Sequence, residues 1–322
     1  MDRHYLELSL PGVGRDFGLR DHPTHPIEIN EILRELRSLK KKVHQLSKEI
    51  ESIKVLSLED PTPVERMLRM RGIKVFRKNP TERLFFLSDL LPHYKTRFYE
   101  MMKKYSFRLV LRDMIKNQNQ FRIQDLTHYC SPKVVRGYCD FLCEMGAIVM
   151  SSRGKYRTSL SPLYSFGPTL EWFIAEMFKK EFSSPAIYGV SVKKTKSGGD
   201  YDVISSWNQR LVYVEVKSSP PKGVELSEVT TFFSRLEDLL PDLAILFNDT
   251  QLRMRDKLVV MFEEELGRRY GEESKRLYPV ERLFEELFHV HHRIFIVNSK
   301  KDVVENFRIS FKDYLRYGGR QP

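Results

Sequence analysis

The sequence predicts an α/β domain with a mixed sheet in its C-terminal half, a mainly α, basic segment before it and one long amphipathic helix near the start. Three observations carry this reading. After Gly167, apolar runs of strand length alternate with helical patterns in the order α-β-β-β-α-β. Between Ile29 and Ile53, eight apolar residues recur in steps of three and four. The net charge of +11 is concentrated in the middle: residues 61–165 hold 20 basic and 8 acidic side chains, residues 1–60 hold 10 and 11, and residues 166–322 hold 24 of each. Charge of one sign gathered in one segment favours a polyanionic partner.

Residues 1–26 read as an irregular segment with Pro11, Gly12, Gly14, Gly18, Pro23 and Pro26; Leu6, Leu8 and Leu10 alternate with polar neighbours over a short stretch. The GVGRDFG run lacks the glycine spacing of a dinucleotide fingerprint. Residues 27–58 form the next element. Ile29, Ile32, Leu36, Leu39, Val43, Leu46, Ile50 and Ile53 make the seam of a coiled coil, with Leu33 widening the stripe. With Ile29 at position a, Glu35 and Glu49 fall at g, and Lys40 and Lys54 at the following e positions. In a parallel homodimer built on residues 29–53 these would pair across the seam. Pro61 and Pro63 end the helix.

Residues 61–165 form the basic segment. A hairpin is expected where IKVF follows Gly72 and RLFFLS follows the KNPTE turn. Residues 95–117 carry an aromatic-rich helical stripe suited to a core. In residues 121–159 a short helix (Ile123 to Tyr129) meets a turn at Cys130-Ser131-Pro132. A second helix runs from Pro132 to Met145, with Ser131 as its N-cap, and AIVM and KYRTS form two strands. This order resembles a winged helix-turn-helix domain. The resemblance implies that the second helix reads the major groove of double-stranded DNA through Lys133 and Arg136, with Arg153, Lys155 and Arg157 on the wing. Cys139 and Cys143 are expected to face the core. A metal site of His128, Cys130, Cys139 and Cys143 matches no zinc spacing.

Residues 166–322 carry the chemistry. The spacing predicts a helix over GPTLEWFIAEMFKKEF, strands at AIYGVSVKK, YDVISSW and LVYVEVKSS, a helix at ELSEVTTFFSRLEDLL, a buried strand at DLAILFND, a helix at MRDKLVVMFEEEL and a last strand at RIFIVNS. Within it stand Glu171, Asp202, Glu215 and Lys217, the last three spelling D-x12-E-x-K. Alternate residues of a strand share a face, so Glu215 and Lys217 point together while Val212, Val214 and Val216 enter the core. Two carboxylates converging from neighbouring strands repel unless a cation joins them, and hard oxygen ligands suit Mg²⁺ or Mn²⁺. A divalent ion beside a lysine is equipment for phosphodiester hydrolysis. Asp200, in the turn, competes with Asp202, which fits the strand pattern better.

The GPTLE, GGDYDVI and LVYVEVKSS segments together resemble the PD-(D/E)XK nuclease superfamily, the restriction endonuclease-like fold also found in archaeal Holliday-junction resolvases and CRISPR-associated nucleases. The resemblance covers residues 167–250. It implies Asp202 and Glu215 as metal ligands with the Val216 carbonyl, Lys217 as the catalytic lysine and Glu171 as a further carboxylate. The helix after Lys217 offers Ser227, Glu228, Thr230 and Arg235 but not the glutamine some branches carry. The expected function is a metal-dependent endonuclease acting on DNA. The alternatives are a catalytically inactive dimeric DNA-binding regulator, a nuclease of RNA or single strands in a defence system, and an interaction protein built on the coiled coil.

Other classes find no support. No run approaches the ~18 apolar residues of a membrane span. The start lacks the shape of a signal peptide, and three cysteines make a disulfide scaffold improbable. A cytoplasmic protein, nucleoid-associated if prokaryotic, is expected. H-E-x-x-H, G-x-S-x-G and Walker A patterns are missing. His289, His291 and His292 precede the last strand without a carboxylate at a known spacing, and are expected to be surface histidines.

Overall fold

Leu211–Val216 and Leu243–Asn248 are buried along their whole length. A strand reads that way only when helices cover both faces of its sheet. The computed structural model describes residues 26–59, 61–151, 154–160, 162–193 and 195–318, with side chains of the first helix described over 31–47. The segment 1–25, Arg153 and the side chains of Ile29, Ile50 and Ile53 lie outside the described residues.

The chain divides into residues 1–60 and residues 61–322. The first unit contains helix α1 (Pro26–Glu59), 34 residues long. Its apolar stripe lies open: Ile32, Leu33, Leu36, Leu39, Val43 and Leu46 are 44–61% exposed.

The second unit is built on an eight-stranded mixed sheet. Its strands are β1 (Lys74–Arg77), β4 (Ala186–Lys193), β5 (Asp200–Trp207), β6 (Arg210–Lys217), β7 (Leu243–Asn248), β8 (Glu281–Phe284), β9 (Leu287–Val290) and β10 (Ile294–Asn298). They run in the order β1-β4-β5-β6-β7-β10-β9-β8. β7 is parallel to both β6 and β10, and the other neighbours are antiparallel. Helices α6 (Gly167–Glu181) and α10 (Val303–Asp313) cover one face; α2 (Pro63–Met70), α7 (Leu226–Leu239) and α8 (Val260–Tyr270) cover the other. The α-β-β-β-α-β order read from the sequence is present as α6-β4-β5-β6-α7-β7.

The expected hairpin near residue 76 does not form. IKVF contributes β1, which pairs with β4 at the sheet edge, while RLFFLS takes no strand and buries Leu84, Phe85 and Phe86. The six residues between the two segments exceed the usual two to five of a hairpin connection, and the open edge of β4 offers Lys74–Arg77 a ladder.

The basic segment continues with α3 (Pro92–Met102), α4 (Tyr105–Lys116), a single 3₁₀ turn at Ile123–Leu126, α5 (Pro132–Glu144) and the hairpin β2 (Ile148–Ser151)–β3 (Lys155–Thr158). Ser131 occupies the N-cap of α5, but its side chain caps nothing. Cys139 is buried, Cys130 and Cys143 are half-buried, and all three are free. These helices share the core of the sheet, with Phe98, Phe107 and Trp172 packed edge-on and tilted at 5.0–5.7 Å together with Phe86.

One buried ion pair ties α4 to the end of β7. Arg108, 1% exposed, donates through Nε and Nη2 to Asp249, 0% exposed, at 2.8–3.0 Å. Arg112 and Ser299 also reach this carboxylate. Burial opposes the charge on Asp249, but Arg108 and Arg112 hold its carboxyl below the usual range. Removing one partner strands the other charge, so Asp249→Ala should lose about 3–5 kcal/mol in urea unfolding at pH 7. A loss below ~1 kcal/mol would show that Arg108 is satisfied by the carbonyls of Met102 and Lys103, which it also contacts at 2.5 and 3.1 Å.

Candidate active site

The site lies where two strands lose their alternation. Ile187 and Val190 on β4 face the same core, as do Tyr201 and Ile204 on β5. The pairs Tyr188↔Val203 and Val190↔Tyr201 set Gly189 opposite Asp202. Gly189 adopts φ +52°, and a Cβ there would stand 2.7 Å from Pro80 Cγ and 3.7 Å from Glu171 Oε2. Only glycine permits that backbone and that approach.

Glu171 arrives from the apolar helix α6, between buried Leu170 and Trp172. It forms no hydrogen bond or ion pair with any described residue. Burial raises its carboxyl to about 7, and the charges of Glu215 and Asp200 add to this against Arg235 and Lys217. Asp202 accepts a hydrogen bond on Oδ2 from the Val216 N–H at 2.7 Å. Its carboxyl is nevertheless pushed well above the usual range, by burial first and then by Glu215 and Glu171.

Glu215 is 2% exposed on β6. Burial would raise its carboxyl, yet Lys217 and Arg235 hold it below the ordinary value. Lys217 Nζ lies 3.0 Å from Glu215 Oε1 and 2.8 Å from Glu228 Oε1. Burial disfavours the ammonium, but these carboxylates outweigh it and raise its pKa. Two carboxylates thus favour the ammonium form of Lys217 in this arrangement. Val212, Val214 and Val216 face the core beneath α6, as expected, while Tyr213, Glu215 and Lys217 share the other face.

Asp200, the competitor, accepts from the Ser191 hydroxyl at the exposed start of β5. The four residues read from the sequence thus occupy one neighbourhood, and two further side chains complete it. Arg235, from α7, donates to Glu215 Oε2 at 2.6 Å and to the Tyr213 hydroxyl at 3.2 Å, and its Nη1 lies 4.0 Å from Asp202 Oδ1. The Tyr213 hydroxyl donates to Glu215 in turn. Helical spacing within α7 carries no signal for Arg235, because the contact depends on how α7 lies across the sheet. Tyr213 was legible only as the residue two before Glu215.

The donor set suits a hard divalent ion. Among the described residues, no hydrogen bond reaches either Glu171 oxygen or Asp202 Oδ1, and Arg235 Nη1 stands 4.0 Å from the latter. The three carboxylates are not drawn into one shell, however: among the described residues, the only His, Cys, Asp or Glu group with ligand atoms all within 4.8 Å is Glu281, His289 and His292. Arg235 is the cation that bridges the gap. A cleft of 680 Å³ begins at Ser218 and Ser219, directly after Lys217, and is also lined by Arg112, Lys116, Tyr129 and Tyr164.

In the basic segment Lys133, Arg136 and Arg157 are exposed and Lys155 is half-buried. None of the four forms an ion pair with a described residue. Lys155 and Arg157 flank buried Tyr156, on the opposite face of β3. No described helix is long and apolar enough to cross a membrane.

No family model matches the chain, and no curated protein does. Among solved structures, protein VC1899 from Vibrio cholerae is similar with a TM-score of 0.46 and 13% identity over 80% of this chain and 62% of that one. Can2 from Sulfobacillus thermosulfidooxidans, solved in complex with cyclic tetra-adenylate, is similar with a TM-score of 0.38 and 10% identity over 57% of this chain and 50% of that one. The chain thus spans less than two thirds of either.

The raised carboxyl of Glu171 sets a stability trend. Unfolded chains release this proton near pH 4.5, and the folded chain retains it until about 7. The folded state binds more protons in that window, so stability falls as pH rises through it. In EDTA, Glu171→Gln should flatten the decline by on the order of 2 kcal/mol in urea unfolding between pH 4.5 and 7.5. An unchanged slope would place Glu171 in contact with water.

Proposed function

We propose that this chain is a metal-dependent nuclease that hydrolyses phosphodiester bonds in DNA, with Glu171, Asp202, Glu215 and Lys217 as its site. The observation that carries this reading is the pair Glu171 and Asp202. Burial pushes both carboxyls up and the Glu215 charge adds to each, and they lie beside the Glu215–Lys217 pair of the central strand β6. Such a cluster is costly without a cation to share.

Asp202, Glu215 and the Val216 carbonyl would hold Mg²⁺ or Mn²⁺, which when bound activates water and neutralises phosphate charge. The chain's own residues do the rest. Lys217, kept protonated by Glu215 and Glu228, presents an ammonium to the charge that develops on the phosphate. Glu171, its carboxyl raised to about 7, can take up a proton near neutrality. Arg235 fixes the rotamer of Glu215 from α7 and offsets its charge. The cleft beyond Lys217 is the path for the strand that is cut.

Lys133, Arg136, Lys155 and Arg157, with Arg153, would hold the duplex through phosphate and groove contacts. The open stripe of α1 would pair two chains in parallel and bring two sites to one substrate. One observation favours the inactive DNA-binding regulator instead: Arg235 already supplies a cation to Glu215.

The readings part in a cleavage assay with Mg²⁺, Mn²⁺ or EDTA on duplex DNA, single-stranded DNA and RNA. Cutting of duplex that needs the metal, and that falls at least ~100-fold in Glu215→Ala and in Lys217→Ala while duplex binding persists, is the expected result. Binding without cutting in any condition would select the regulator, and preference for RNA or single strands would replace the substrate. For α1, sedimentation should give a dimer that Leu36→Asp with Leu39→Asp converts to monomer. A wild-type monomer at tens of micromolar would remove the coiled-coil dimer.

A further inference from the structure

Two histidines and a glutamate meet at the far edge of the sheet, and none of them belongs to the nuclease site. We propose that Glu281, His289 and His292 form a binding site for one divalent transition-metal ion, zinc by preference.

Strand register brings the first two together: in the antiparallel β8–β9 pair, Glu281 lies opposite His289. The third comes from the β9–β10 connection. His291 and His292 take φ +52° and +54°, and the Arg293 N–H closes the turn on the Val290 carbonyl at 3.1 Å. A two-residue turn of this kind is usually built from Asn and Gly. Here two imidazoles occupy it, and it folds His292 back onto the strand, where its ring lies 4.1 Å from that of His289 at 26°. One ligand atom from each of Glu281, His289 and His292 lies within 4.8 Å of the other two. His291 turns away, with Nε2 bonded to the Leu277 carbonyl.

The surroundings prepare the nitrogens. His292 Nδ1 lies 2.7 Å from Asp313 Oδ2, so its proton is held there and the Nε2 lone pair is left free. A carboxylate behind a ligating imidazole is the usual outer partner of a zinc-bound histidine. His289 is 4% exposed, and burial and then His292 shift its pKa downward, the direction that favours a ligating imidazole. Its Nδ1 accepts the His292 N–H at 3.3 Å, so use of either ring nitrogen gives up that one long hydrogen bond. Glu281 is exposed at the start of the edge strand and is free to close on an ion. Two imidazoles and one carboxylate match a four-coordinate zinc with water as fourth ligand, and imidazole disfavours Mg²⁺ and Ca²⁺. The ion would pin the edge strand β8 to the β9–β10 turn and, through Asp313, to the end of α10.

The test uses full-length chain stripped with EDTA, titrated with Zn²⁺ against a chromophoric chelator and with Co²⁺ by visible absorption. One equivalent should bind, with a four-coordinate Co²⁺ spectrum. Glu281→Gln and His292→Ala should each weaken Zn²⁺ at least ~100-fold, and Asp313→Asn about 10–100-fold. Asp202→Asn should leave the titration unchanged. Glu281 is exposed, so its variant keeps a folded protein even if His292→Ala does not. No binding at micromolar Zn²⁺, binding undiminished in Glu281→Gln, or binding lost in Asp202→Asn would each overturn the proposal.

Discussion

Everything around the candidate site is arranged about one constraint: Glu215 is a carboxylate buried in the middle of an eight-stranded sheet. An ion in that position must be answered by cations and donors. Lys217 answers from two residues along the same strand, Arg235 from the helix above it and Tyr213 from two residues back. Each answer fixes something larger. The Arg235 contact ties α7 over β6, and the Lys217–Glu228 pair holds the first turn of that helix down. With Glu215 satisfied, Glu171 and Asp202 are the carboxyls left without matching cations, and both are pushed up toward the neutral form. The uncompensated pair, more than the satisfied one, gives the site its chemical character.

A second buried carboxylate does the equivalent task at the boundary with the basic segment. Asp249 directly follows β7 and accepts from both Arg108 and Arg112 of α4. The basic helices are thereby part of the same core as the sheet, although their surface charge sets them apart in the sequence. The cations proposed to meet DNA stand outside this arrangement. Among the described residues, Lys133, Arg136, Lys155 and Arg157 form no ion pair and are available to phosphate.

Much of this was legible in the residues. A glutamate and a lysine two apart inside LVYVEVK violate the apolar pattern of a buried strand, and such a violation points to a task or a partner. The succession α-β-β-β-α-β along the chain followed from run length and turns, because covered strands such as Leu211–Val216 and Leu243–Asn248 leave few polar breaks. What escaped was whatever depends on neighbours distant in sequence. Arg235 looks like any arginine on an amphipathic helix until α7 lies across β6. IKVF read as half of a local hairpin because the open edge of β4, more than a hundred residues on, is invisible from its own neighbourhood. Glu281 lacked a recognisable spacing to the histidines since the link is a strand register and not an interval along the chain. His289 therefore read as a surface residue when it is buried.

The claim at the centre is that a hard divalent ion would be held at Asp202 and Glu215, beside Glu171, where burial and neighbouring charge favour protonated carboxyls in its absence. Titration calorimetry of Mn²⁺ into the full chain at pH 6, in two buffers of different ionisation enthalpy, reads it directly. The account predicts binding that releases a proton to buffer, with both the binding and the release lost in Asp202→Asn. Binding with no proton release, or no binding at millimolar Mn²⁺, would contradict it and leave Arg235 as the site's resident cation.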